Sequence, residues 1–295
     1  MGTTFSVVLY GTDRATLEAA AAAAFDEVHR LDRMLSNYQP SSEWSEVNRS
    51  AARGPVKVSP ELFQLLARCM SYSRLSDGAF DITVGPLMKV WGFYKGEGLL
   101  PRSAEVADAL SRVGYRHVKL DTGAQTVRFD RPGVELDPGG IGKGYAVDRM
   151  VQVLKRTRVN IALVSGGGSS IYGMGAPPEE TQGWPITIRA PGNPHQPAAV
   201  IFLRDMSLST SGGYEKFFWA RGRTYSHLMD PRTGHPARGT ASVSVLAPST
   251  IDSEAWAKPY FINGYAWTAS HTPDTFRVFF CDDARPPACA WIQPR

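Results

Sequence analysis

Glu135-Leu-Asp-Pro-Gly-Gly-Ile-Gly-Lys-Gly144 runs without a break into an apolar-periodic stretch, which predicts a glycine-rich turn opening a helix over Gly144–Lys155. Helix N-termini carry unsatisfied N–H groups and a partial positive charge, so this backbone can face a phosphate, with Lys143 adding a point charge. The glycine spacing, and the absence of a Ser or Thr after the lysine, exclude a Walker A loop. The dinucleotide fingerprint does not fit either. A tight connection into a helix uses the same residue types, so both readings of the segment stand at this level.

On either side of the turn the chain mixes helices and strands. Leu17, Ala21, Phe25, Val28, Leu31 and Leu35 recur every three or four residues and predict a helix over Ala15–Leu35. A second is predicted over Pro60–Ser73, with Ser59 as N-cap, Pro60 in the first turn and Leu62, Leu65, Leu66, Cys69 and Met70 on the buried side. Met1–Tyr10 alternates like a strand. Further strand-like pieces are Val118–Leu120, Thr126–Phe129, Ile161–Val164, Ile186–Ala190, Val200–Leu203, Ser242–Leu246 and, completing a sheet, Phe276–Phe280. Because strands and helices do not alternate regularly, the expected class is α+β rather than a doubly wound sheet. No linker-like composition interrupts residues 1–295, which are expected to form one compact domain.

With 43% hydrophobic and 20% charged residues, the 295-residue chain can fill a packed core, which excludes collagen, coiled coil and wholesale disorder. The net charge of +4 comes from dispersed Lys and Arg. The densest group, Lys155, Arg156 and Arg158, sits at a predicted helix end, where cations suit the dipole, so no nucleic-acid surface is expected. No run approaches the roughly 18 apolar residues that cross a bilayer, and the first residues lack the pattern of a signal peptide. The three cysteines are too few for a disulfide framework. Cys281 and Cys289 bracket a short loop and are either bridged or two free thiols.

Two more segments concentrate polar chemistry. Ser165-Gly-Gly-Gly-Ser-Ser170 follows a buried-looking strand and offers bare backbone for close ligand approach or for a wide turn. Tyr225-Ser-His-Leu-Met-Asp-Pro-Arg-Thr-Gly234 gathers a His, an Asp and an Arg around an Asp-Pro turn, which makes His227 the best candidate for proton chemistry.

Taken with Met1-Gly-Thr-Thr, Leu35-Ser-Asn-Tyr38, Ser42-Glu43, Asn48, Asp77-Gly-Ala-Phe-Asp81, Gly85-Pro86, Trp91-Gly-Phe93, Asp148, Trp184, Ser209-Thr-Ser-Gly212, Tyr214-Glu215 and Pro236, these segments resemble the FAD:protein FMN transferases, the ApbE-like flavin transferases. The pieces occur in the family's order from the first residue to about Gly264. The resemblance implies an α+β fold related to the T-fold. It also implies FAD split at its diphosphate, FMN passed to a Ser or Thr hydroxyl of a flavin-accepting partner protein, release of AMP, and a divalent metal, usually Mg2+. Carried over by position, Met1, Tyr38, Ala79, Phe80, Asp81, Asp137, Lys143 and Leu228 line the dinucleotide; His227 is the base, oriented by Asp230 or a backbone carbonyl; and Lys143 assists catalysis. The loops are expected to converge on one cleft.

The metal position departs from the family pattern. There a carbonyl of the glycine-rich turn, here Gly140, joins an Asp and a Thr spaced i, i+4 on a late helix. In this chain Glu254 and Lys258 take those two places within Ser253-Glu-Ala-Trp-Ala-Lys-Pro-Tyr-Phe261. A glutamate remains a hard oxygen ligand, but an ammonium does not ligate a cation. The spacing predicts a Glu254–Lys258 salt bridge in the metal's place, with Pro259 disturbing the helix just after it. Three functional readings follow: a transferase in which Lys258 replaces the metal, a flavin-binding module without catalysis, and a partner-binding scaffold. The family's usual location gives the bacterial cell envelope or periplasm as the expected site of action.

Overall fold

The computed structural model describes residues 2–96 and 98–293. The chain forms two compact units, one from Met1–Asp32, Ile141–Gly212 and Gly239–Arg295, the other from Arg33–Gly140 and Gly213–Arg238.

The first unit is built on a seven-stranded sheet in the order Phe5–Tyr10, Ile161–Gly166, Ser170–Met174, Met206–Gly212, Thr240–Ala247, Arg277–Asp282 and Cys289–Trp291, antiparallel throughout. Side chains alternate between its faces, and both faces are covered. Ala162, Val164, Tyr172 and Met174 point to one side, where they meet Val147, Met150, Val151 and Leu154 of the helix Gly142–Arg156. Ala20, Ala24 and Val28 of the helix Arg14–Leu35 close the same layer. The alanine run thus combines high helix propensity with small side chains on the packed face. On the opposite face, Leu163, Ile171, Leu208, Leu246 and Phe279 pack under a hairpin of Trp184–Ala190 and Asn193–Leu203, through Trp184, Ile188, Ile201 and Leu203. Cys281 and Cys289 are directly paired in the last two strands and form a disulfide.

The late helix of this unit runs over Thr250–His271. Pro259 does not interrupt it; the break falls at Gly264, with φ 78° and ψ −177°. Proline lacks one N–H and crowds the preceding turn, but that turn is held by packing, with Ala255, Ala257, Pro259, Tyr260 and Phe261 all buried. The achiral residue is where the backbone leaves helical space.

The second unit carries the helices Glu43–Ser50, Pro60–Leu75, Gly85–Val90 and Ser103–Leu110. Ser59 caps Pro60–Leu75 by accepting from the Leu62 N–H at 3.3 Å. A small sheet, Val56–Lys57, Thr126–Phe129 and Val118–Asp121, lies in the same unit. Two hairpins, Phe217–Ala220 with Arg223–Ser226 and Met229–Asp230 with His235–Pro236, close it. Leu87, Trp91, Val106, Ala109, Val113, Tyr225 and Met229 form a core joining the helices to the hairpins.

Candidate active site

In the second unit, the strand-like end of the glycine-rich segment is clamped before it reaches Asp137. The Asn48 side chain accepts from the Leu136 N–H at 2.8 Å and donates to the Leu136 carbonyl at 3.0 Å, and the Trp44 indole donates to that carbonyl at 3.0 Å. Asp137 follows. Its own N–H reaches the Ile82 carbonyl at 2.6 Å, Oδ1 accepts from the Gly139 N–H at 2.6 Å, and Oδ2 accepts from the Tyr94 hydroxyl. Burial raises the Asp137 carboxyl above its usual range, against the pull of those donors. Burial and the Asp137 carboxylate together push the Tyr94 phenol up. Replacing Asn48 with Ala leaves the Leu136 N–H without its acceptor, so urea unfolding is expected to show a loss of about 1–3 kcal/mol.

The Asp77–Asp81 segment turns with Asp77 and Gly78 at φ 50° and 77°. Asp81 is saturated: Oδ1 accepts from the Thr83 N–H at 2.8 Å and hydroxyl at 2.7 Å, and Oδ2 accepts from the Tyr115 N–H at 2.5 Å. Burial still pushes its carboxyl up to about 6. Ala79 and Leu228 are buried, and Phe80 packs edge-on against Tyr72 at 5.6 Å. Tyr38 differs from these neighbours: it is 68% exposed and rests edge-on against Tyr94 at 6.5 Å. Met1 lies outside the described residues.

His227 directly follows the strand Arg223–Ser226. Its backbone N–H and its Nδ1 both meet the Lys216 carbonyl, at 3.0 and 3.1 Å. A carbonyl only accepts, so this contact puts the ring proton on Nδ1 and makes Nε2 the basic nitrogen. Of the two orienting groups the sequence allowed, the backbone carbonyl is the one used. Asp230 instead takes Arg232, at 2.9 and 3.0 Å, within the turn that ends at Gly234. A Cβ on Gly234 would come within 2.9 Å of Val106, and the Gly234 carbonyl accepts from the Trp91 indole at 2.9 Å. That turn is therefore a packed structural corner that fixes the strand pair beside His227.

In the first unit, the start of the helix Gly142–Arg156 meets the late helix. Glu254 Oε1 accepts from Lys143 Nζ at 2.7 Å, and Oε2 accepts from the Gly144 N–H at 2.5 Å. The Gly144 amide that the sequence left open to a phosphate is thus taken by a carboxylate of the protein itself. A Cβ on Gly144 would lie 2.4 Å from the Thr250 carbonyl and 2.9 Å from Glu254 Oε2, so only glycine permits this approach. Asp148 fixes the late helix by accepting from the Thr250 and Ile251 N–H groups at 2.7 and 2.9 Å. Ser165–Ser170 proves to be the hairpin between Ile161–Gly166 and Ser170–Met174, with Gly167 and Gly168 at φ 64° and 66°.

The expected Glu254–Lys258 salt bridge is present, but it is the longer of two that Glu254 makes. Lys258 Nζ donates to the Glu254 backbone carbonyl at 2.8 Å and stands 3.8 Å from Oε1, while Lys143 is the carboxylate's close partner. Burial opposes ionisation of Glu254, yet the Lys143 and Lys258 ammonium groups and the two hydrogen bonds hold its carboxyl below the usual range. Burial draws Lys258 down to about 8, against the pull of Glu254.

A divalent cation does not fit this arrangement. Both oxygens of the one carboxylate are engaged, an ammonium stands where the family pattern has a hydroxyl, and no cluster of three or more His, Cys, Asp or Glu suited to a metal occurs among the described residues. Gly140 belongs to the second unit and Glu254 and Lys258 to the first. Asn48 and Asp148 stood out in the sequence without a role. Tyr94 and Trp44 did not stand out, because nothing local marks an aromatic as the partner of a distant loop.

A model of the ApbE family matches residues 1–277. The chain is 33% identical over 298 residues to the FAD:protein FMN transferase of Treponema pallidum, covering 95% of this chain and 82% of that protein. It is 31% identical to one from Klebsiella pneumoniae, covering 88% and 79%. Among solved structures, the ApbE protein of Thermotoga maritima matches with a TM-score of 0.88 at 28% identity, covering 98% of this chain and 93% of that one. The apo flavinyl transferase ApbE of Pseudomonas stutzeri matches at 0.83 and 25%, covering 99% and 96%. Helices packed on antiparallel sheets, the ordered motifs and relatives of this similarity lead to one conclusion: the chain belongs to the ApbE family.

Proposed function

We propose that the protein is an FAD:protein FMN transferase acting on a Ser or Thr hydroxyl of a partner protein. The observation that carries this is the His227 ring, held through Nδ1 by the Lys216 carbonyl so that Nε2 is the basic nitrogen. In the reaction the acceptor hydroxyl oxygen attacks the phosphorus on the riboflavin side of the FAD diphosphate. The bond from that phosphorus to the bridging oxygen breaks, AMP leaves with the bridging oxygen, and the hydroxyl proton passes to Nε2. Relatives at 33% and 31% identity bearing that name support the reading.

Tyr38, exposed beside Tyr94, offers a ring face for the isoalloxazine or adenine. Ala79, Phe80, Asp81, Asp137 and Leu228 match positions that line the dinucleotide in the family, and so does Lys143, whose ammonium suits an anionic diphosphate. The Cys281–Cys289 disulfide supports work in an oxidising compartment such as the bacterial envelope.

Incubation with FAD and a Ser/Thr-containing acceptor peptide tests the reaction. The expected result is a peptide heavier by FMN less water, with one AMP released per modified peptide. FAD bound but recovered unchanged, with unmodified peptide, would leave a binding module.

A further inference from the structure

Lys143, Glu254 and Lys258 form a charge cluster whose composition is unusual for a cation site. Two ammonium groups face one carboxylate, at 2.7 and 3.8 Å, so the cluster carries an excess of positive charge. The Glu254 side chain is only 2% exposed, and both its oxygens are committed, to Lys143 and to the Gly144 N–H. The Asp148 carboxylate on the same helix as Lys143 is occupied with the Thr250 and Ile251 N–H groups. A divalent ion placed here would meet two like charges and no uncommitted carboxylate in the cluster. What such a cluster lacks is an anion. Lys258 spends one of its donors on the Glu254 carbonyl, and an ammonium has three.

We infer that Lys258, together with Lys143, is a built-in counter-charge for the diphosphate of the dinucleotide, so that this chain binds FAD without a divalent cation. Glu254 is then a positioning residue: it sets Lys143 and ties the start of the helix Gly142–Arg156 to the late helix, and Gly144 is the residue that lets the carboxylate in. The role of the diphosphate as the anion rests on the transferase reading; the statements about cation binding do not.

The test uses the purified full chain, with Mn2+ followed by electron paramagnetic resonance and FAD by quenching of flavin fluorescence. The wild-type chain is expected to bind no Mn2+, with or without FAD, and to keep its FAD affinity in excess EDTA. Lys258→Met is expected to weaken FAD binding about tenfold, the size of one charge-assisted hydrogen bond, and Lys258→Arg to recover most of it. Glu254→Asp combined with Lys258→Thr is expected to create a Mn2+ site. Stoichiometric Mn2+ binding by the wild-type chain would overturn the inference, as would an FAD affinity that collapses in EDTA or one that Lys258→Met leaves unchanged. If the double variant does not fold, the wild-type Mn2+ titration decides. If FAD binds as described and no acceptor is ever flavinylated, the transferase reading fails and the cation-free binding stands.

Discussion

Replacing His227 with Ala is expected to slow FMN transfer about 10²–10⁴-fold in single-turnover assays, the span of a positioned general base, while FAD affinity stays within about twofold. The split follows from where the ring is held. His227 is anchored by its own backbone and by Nδ1 to the Lys216 carbonyl, so the hairpin itself does not depend on Nε2. Asn at the same position retains a polar side chain but no basic nitrogen, and is expected to be as slow as Ala. If both variants transfer FMN at the wild-type rate, the proton goes elsewhere and the base has been misassigned.

Removal of the Glu254 carboxylate is expected to have the largest effect on stability. In Glu254→Ala, two ammonium groups are left near one another and the Gly144 N–H loses its acceptor. Breaking a buried pair by deleting one partner costs about 3–5 kcal/mol, most of it from the charge left behind. Urea unfolding of the variant should show that loss. Adding Lys143→Met to Glu254→Ala should recover part of it, because the stranded cation is gone; the two losses should sum to more than the double variant shows. Strictly additive losses would mean that Lys143 and Glu254 do not act as a pair.

The parts of the fold that were legible in the sequence are those whose signal is local. The helices Arg14–Leu35 and Pro60–Leu75 extend only slightly past the expected bounds, because apolar periodicity and the Ser59-Pro60 start are written within each segment. The strands Thr126–Phe129 and Ile161–Gly166 were legible for the same reason. Short helices such as Glu43–Ser50 and Gly85–Val90 span too few turns to show a period, and they draw their stability from packing.

At the candidate site the sequence singled out Asp137, Lys143, His227, Glu254 and Lys258, and it showed the Glu254–Lys258 ion pair but not the closer one with Lys143. Helical spacing makes residues four apart neighbours, so Lys258 was the visible partner. Lys143 lies 111 positions away and meets Glu254 only because two helices come together. The Tyr94 bond to Asp137, across 43 positions, was hidden in the same way. Pro259 shows the reverse case, a strong local signal overruled by the packing of the turn around it.

The order of strands in the large sheet has a consequence for the birth of the chain on the ribosome. Thr240–Ala247 lies between Met206–Gly212 and Arg277–Asp282, and among the described residues the late helix is followed by two further strands. All residues of the second unit are synthesised by Arg238, whereas in the first Phe5–Tyr10 must wait for Ile161–Gly166, and the sheet is completed only when Thr240–Ala247, Arg277–Asp282 and Cys289–Trp291 add to Met206–Gly212. Pairings over such sequence distances form slowly, so the unit bearing Lys143 and Glu254 matures after the one bearing His227.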